Sequence, residues 1–156
     1  GSYSGRGRGP GESDAAEVLR VMGQPALQWR NDDGSRQFSY PRGPAGVHSY
    51  MAFIDADGKL QRIENVMDGK SFFRIRPGMS NDEVLRVLGP PVPGWTSYFR
   101  ARDELVWEWR YCDDWNMPAR FDVLFDASSS RVRSTMSLTE DQLGLCGPDG
   151  GCSCAR

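Results

Sequence analysis

The chain holds one histidine, His48, and that bounds the chemistry open to it. A histidine base needs a nucleophile and an orienting carboxylate at motif spacing, and neither accompanies His48. A single imidazole also excludes the usual histidine-based zinc sites. Asp55-x-Asp57-Gly58 opens like a calcium loop, but its twelfth position is Val66 where such a loop requires a bidentate glutamate. A hairpin turn accounts for the segment. The serines sit in turns and caps without a G-x-S-x-G elbow. Gly5, Gly7, Gly9 and Gly11 follow no strand, so they form no phosphate loop. Cys112 has a nucleophile's side chain but no histidine near it in sequence. No catalytic constellation assembles. The reading is a non-enzymatic protein with neither cofactor nor metal.

Binding chemistry is better represented. Trp95, Tyr98, Phe99, Trp107, Trp109, Tyr111 and Trp115 fall within 21 residues and include four of the five tryptophans. Leu105, Trp107, Trp109 and Tyr111 alternate, which puts them on one strand face and suits a core. Yet each buried tryptophan occupies about 150–250 Å², and a small unit has room for few. Trp95, Tyr98, Trp107, Trp109, Tyr111 and Trp115 are therefore the candidate partner-binding residues, of the types that dominate binding hot spots. At least two of them are expected on a protein-binding surface.

The cysteines are Cys112, Cys146, Cys152 and Cys154. An even number clustered near the chain end fits disulfides in an oxidising compartment. Zinc is the rival, but gaps of C-x₅-C and C-x-C are not its usual spacing. Pairing Cys152 with Cys154 would close a very small ring. Two connectivities remain: Cys112–Cys152 with Cys146–Cys154, or Cys112–Cys154 with Cys146–Cys152. Either ties the tail to the aromatic region, with a stabilisation of about 3–4 kcal/mol in the chain-entropy model.

What positions these residues is a repeat. Residues 14–25, DAAEVLRVMGQP, and 80–91, SNDEVLRVLGPP, share seven of twelve positions at an offset of 66. The match extends to Trp29 and Trp95. Asp55-Ala56 and Asp126-Ala127 recur at an offset of 71, so the second copy carries about five extra residues, placed within 108–120. Ser80 and Glu83 form a capping box, and Asp14 with Glu17 repeats it. Met79 is set to staple onto Val84. Gly23 and Gly89 fall where a left-handed residue stops a helix, and prolines follow. A helix of two turns is unstable alone and must dock on a sheet. Ala26–Arg30 and Arg36–Tyr40 flank a turn signal at 31–34, and Ser49–Ile54 and Lys59–Val66 flank another at 55–58. Alternating runs at 105–111, 121–125 and 132–136 supply the same meander in the second copy. Ser71–Arg76 reads as an added edge strand, and Ser137 to Glu140 as the cap of a short final helix.

The fold class is thus α+β: two tandem units, each a short helical segment on an antiparallel meander. The boundaries are 1–10 for a flexible lead-in, 11–68 and 69–140 for the units, and 141–156 for the Cys-rich tail. A hydrophobic content of 38% is globular, and 19 basic against 21 acidic residues give a net charge of −2. The mean hydropathy of −0.57 implies thin cores. That balance supplies no basic field for nucleic acid. No apolar run approaches the ~18 residues of a membrane span. Gly1-Ser2 reads as a cloning remnant, so a targeting segment would lie upstream.

Residues 72–91, FFRIRPGMSNDEVLRVLGPP, resemble the SmpA/OmlA (BamE-like) family of envelope lipoproteins. The resemblance rests on Ile75, Gly78-Met79-Ser80, Glu83-Val84, Leu88-Gly89 and Pro91, followed by an aromatic strand. It covers the second unit well and the first more weakly, where Gly11-x-Ser13 is the same motif with one residue inserted. It implies a protein at the periplasmic face of a bacterial outer membrane, without catalysis. Its partners would be proteins of the cell envelope, in outer-membrane protein assembly or envelope integrity. Two features depart from the family. There are two units, an arrangement that resembles the β-lactamase inhibitory proteins and implies, as the alternative, a secreted or periplasmic enzyme inhibitor. Cys112 is also the first cysteine, so membrane association is expected only through a lipid anchor not present in this chain.

Overall fold

The computed structural model describes residues 14–148 and 151–154. The lead-in 1–10, the Gly11-x-Ser13 motif and tail positions 149, 150, 155 and 156 lie outside them. Helix α1 (Asp14–Met22) precedes strands β1 (Leu27–Arg30), β2 (Arg36–Pro41), β3 (Ser49–Ile54) and β4 (Leu60–Asn65). Helices α2 (Gly69–Phe72) and α3 (Asn81–Leu88) follow. Strands β5 (Thr96–Phe99), β6 (Glu104–Cys112), β7 (Pro118–Asp126) and β8 (Arg131–Thr139) complete the chain. Each set of four strands is an antiparallel meander in chain order, giving sheet 1 (β1–β4) and sheet 2 (β5–β8). The α+β class and the two tandem units are as the repeat implied.

Local chemistry explains the starts and stops. Glu83 N–H donates to Ser80 Oγ at 3.2 Å and Ser80 N–H donates to Glu83 Oε1 at 3.0 Å, the reciprocal box that opens α3. At α1 the repeat is put to a different use. Asp14 accepts from the backbone N–H of Leu60 at 2.6 Å, and the amides of Asp14 and Ala15 donate to Gly58 O, which ties the helix to the β3–β4 turn. Glu17, 2% exposed, is ion-paired with Arg20.

Two sequence expectations give way. The segment 71–76 is no edge strand: Asp68 accepts from Ser71 N–H at 2.9 Å and caps the short helix α2. The cap at 137–140 starts no helix. Ser137 to Thr139 belong to β8, and the reciprocal Thr139–Gln142 bonds that follow serve a turn.

Alternation assigns the faces. Phe38, Tyr40, Ala52 and Ile54 of sheet 1 join Ala15 and Val18 of α1 in one core. The opposite face of sheet 1 brings Met51 into the larger core, which α3 supplies with Val84, Val87 and Leu88 and sheet 2 with Trp109, Phe121, Val123 and Phe125. Polar contacts fix the same seam. Gln37 donates to Arg86 O at 3.1 Å, Arg86 to Asn31 Oδ1 at 2.7 Å, and Trp29 Nε1 to Asp82 at 3.3 Å. Helix α3 is therefore held between the sheets, and sheet 1 carries a helix on both faces. Gly89, which ends α3 at φ 71°, ψ −175°, rests on β2 so closely that a Cβ would strike Ser39 Oγ.

Candidate partner-binding surface

Among the described residues, one sheet face remains uncovered. On β6 the side chains of Glu104, Val106, Glu108 and Arg110 alternate away from the core, and on β7 those of Arg120, Asp122, Leu124 and Asp126 do so. This outer face of sheet 2 meets neither α2 nor α3. A concavity of about 320 Å³ lies on it, floored by Val106 and Leu124 and edged by Phe99 and Met136, which are 40% and 43% exposed.

Two ionic networks flank that floor. In the first, Arg110 grips Glu140 with two bonds of 2.8 and 3.0 Å. Arg120 bridges Glu140 at 2.9 Å and Glu108 at 2.9 Å. Glu140 is buried, and the Arg110 and Arg120 guanidiniums hold its carboxyl below the usual carboxylate range. Arg110 also donates to Pro44 O at 3.1 Å, which connects the network to the first unit. In the second, Arg133 binds Asp126 at 2.7 Å and Glu104 at 3.1 Å, and Arg102 binds Glu104 at 3.1 Å. Asp122 lies directly across from Glu108 in the β6–β7 ladder. Burial first, then the hydrogen bond and negative charge of Glu108, push its carboxyl up to about 8, against the pull of Arg120. Asp122 Oδ1 is buried without a hydrogen-bond partner among the described residues. Long arginines held at both ends lose less freedom on binding than free surface side chains would.

The six aromatics do not form one patch. Trp95 lies on the outer face, where the Arg120 guanidinium stacks over its ring at 3.8 Å. Tyr98, 60% exposed, is on the edge strand β5. Trp107 and Tyr111 are half-buried against the central core. Trp109 is 2% exposed, so its assignment to partner contact is corrected: it is core, packed with Trp107 and Phe121. Trp115 stands at the β6–β7 hairpin, 84% exposed. The reading from sequence missed Glu104, Glu108, Arg120, Asp122 and Glu140. For all but Glu140, which follows β8, the signal was present as charged residues at alternate positions of β6 and β7, opposite the aromatic stripe.

Of the two cysteine pairings left open, the structure holds Cys112–Cys154 and Cys146–Cys152. The first closes 42 residues and fastens the tail to the hairpin, where Cys154 N–H also donates to Asn116 O at 3.0 Å. Disulfides of this kind persist in oxidising compartments, which places the chain outside the reducing cytosol. His48 is exposed and stacked on Tyr50. Among the described residues no group of three His, Cys, Asp or Glu is placed to hold a metal ion. No helix among them is long and apolar enough to cross a membrane.

No family model matches the chain, and no curated protein matches it. The SmpA/OmlA resemblance therefore rests on its own residues. Among solved structures, a protein from Streptococcus mutans described as a "putative beta-lactamase inhibitor protein" is similar at 12% identity, over 88% of this chain and 88% of that one, with a TM-score of 0.36. A likeness at that level carries no argument about this chain.

Proposed function

We propose that the chain is a non-catalytic protein-binding module and that the outer face of sheet 2 is the surface it presents. The observation that carries this is the uncovered face itself. Three sheet faces are packed under helices, and the fourth combines an apolar concavity with arginines and carboxylates fixed by mutual ion pairs. Apolar centre and polar rim is the anatomy of a protein interface. Trp95 and Phe99, each beneath an arginine, are its aromatic anchors.

The partner we favour is a protein of the bacterial cell envelope, met at the periplasmic face of the outer membrane, because residues 72–91 resemble the SmpA/OmlA motif. An enzyme bound and inhibited by the same face is the alternative, favoured by the concavity. Site-specific cross-linking from position 97 in envelope extract tests both. The cross-linked partner should be lost with Leu124→Lys and with Met136→Glu while the fold is kept. A partner captured equally by both variants would remove this face from consideration. A purified partner whose activity falls on adding the chain would decide for the inhibitor.

A further inference from the structure

The β6–β7 hairpin carries a large side chain that the fold does not use. Trp115 is 84% exposed, and no arginine among the described residues stands over its ring as Arg76 stands over Phe73. The turn that presents it is fixed. Asp113 Oδ1 accepts from the amides of Trp115 and Met117 at 2.9 Å each, and Asn116 takes a left-handed φ of 58°. Cys154 N–H donates to Asn116 O at 3.0 Å, beside the Cys112–Cys154 disulfide. A tryptophan held in this way loses little further freedom on binding. Asp113 and Asp114 precede it, and residues 112–117 include no lysine, arginine or histidine, so the tip is both apolar and acidic.

A receptor of the opposite character lies at the seam between sheet 1 and α3. There a cavity of about 380 Å³ is lined by Phe53, Met79 and Val87 and by Arg62, Arg74 and Arg86, with Glu83 as the single acid of the lining. The arginines are not equally available. Arg86 is bound to Asp82 and Asn31, and Arg62 lies over Phe53 and pairs with Glu64 at 3.5 Å. Glu83 is engaged by the Ser80 box. Arg74 is exposed, and its guanidinium has neither hydrogen bond nor ion pair among the described residues.

We infer that the hairpin tip of one molecule enters this cavity on a second copy of the chain, with Trp115 against Phe53, Met79 and Val87 and Asp114 against Arg74. Apolar surface meets apolar surface, and the acid of the tip meets the one guanidinium left without a partner. The hairpin is no part of the cavity's own lining, and β6 and β7 are paired out to Cys112 opposite Pro118. Sheet 2 therefore carries the tip rigidly, and the tip that fills the cavity comes from another molecule. Every copy holds both elements, so the contact closes into a two-fold dimer or runs on head to tail. It involves neither the outer face of sheet 2 nor the partner proposed for that face.

The test is sedimentation velocity of the full oxidised chain from about 10 μM to about 1 mM. The mass should rise above that of one copy as concentration rises. Trp115→Ala should raise the dissociation constant about tenfold. Arg74→Glu and Asp114→Arg should each weaken association similarly, and mixing these two variants should restore it. In the mixture the unaltered hairpin of one meets the unaltered cavity of the other, and the two reversed charges meet each other. A chain that stays monomeric throughout, association indifferent to Trp115→Ala, or a mixture no better than its parts would overturn the proposal. Leu124→Lys should leave association unchanged; loss of association in that variant would move the self-contact to the outer face of sheet 2 and overturn it too.

Discussion

The two units began from one sequence pattern and occupy unlike positions. Helix α1 covers one face of sheet 1, and α3 covers the other together with the inner face of sheet 2. The paired tryptophans show the result. Trp29 faces the docked helix, donates to Asp82 and lies under Arg86 of α3. Its copy Trp95 meets no helix among the described residues and lies under Arg120 of its own sheet. The paired glycines differ likewise. Both Gly23 and Gly89 have positive φ, but a Cβ at Gly23 would meet nothing within 4 Å, whereas at Gly89 it would strike Ser39. Identical residues thus acquire different weight from what is packed beyond them, and the second copy holds the molecule together.

The largest effect that separates the units should come from the staple that only the second possesses. Cys112→Ser with Cys154→Ser should lower stability by about 4 kcal/mol in the chain-entropy model for a 42-residue loop, read from denaturant unfolding. A loss under about 1 kcal/mol would mean that packing alone holds the tail.

Next in size are the glycines. Gly89→Ala combines a strained backbone with a clash against sheet 1 and should cost about 3 kcal/mol, against about 1 kcal/mol for Gly23→Ala. Equal costs would show that α3 does not press on sheet 1 as described.

The smallest effect is a slope. Asp122 has an ordinary value of 3.8 when unfolded and about 8 when folded, so between those values the folded state binds the extra proton. Its contribution is therefore complete below the unfolded value and declines as pH rises toward 8. Glu140 acts in the opposite sense, losing its contribution as pH falls below the usual carboxylate range. Thermal unfolding from pH 5 to 8 should flatten in Asp122→Asn and leave this variant the more stable at pH 8. An unchanged slope would mean that the proton is not held there.

The fold was legible where its signals were local. The Ser80–Glu83 box, the turns at 31–34 and 55–58, and the glycine stops each act within a few residues, and the repeat displayed them twice. Asp68 was a local cap that the reading passed over, so α2 was mistaken for a strand. The hidden part was long-range. Trp107, Trp109 and Tyr111 have the right types for a hot spot, and alternation gave them a common face, but nothing in β6 says which face α3 will cover. That is fixed by Val84, Val87 and Leu88 twenty residues away. The charged positions of β6 and β7 drew no notice because single ions are ordinary on a surface, and only register brings Glu108 beside Asp122.

The order helix, sheet, helix, sheet has a consequence for growth. Each unit offers the next a face like the one it occupies, so the series has no built-in last member and a third helix could in principle settle where Trp95 lies. Arg110, Arg120 and Glu140 close that series, because an apolar helix laid over them would bury their charges away from water. A polar outer layer of this kind is what terminal members of repeat arrays carry.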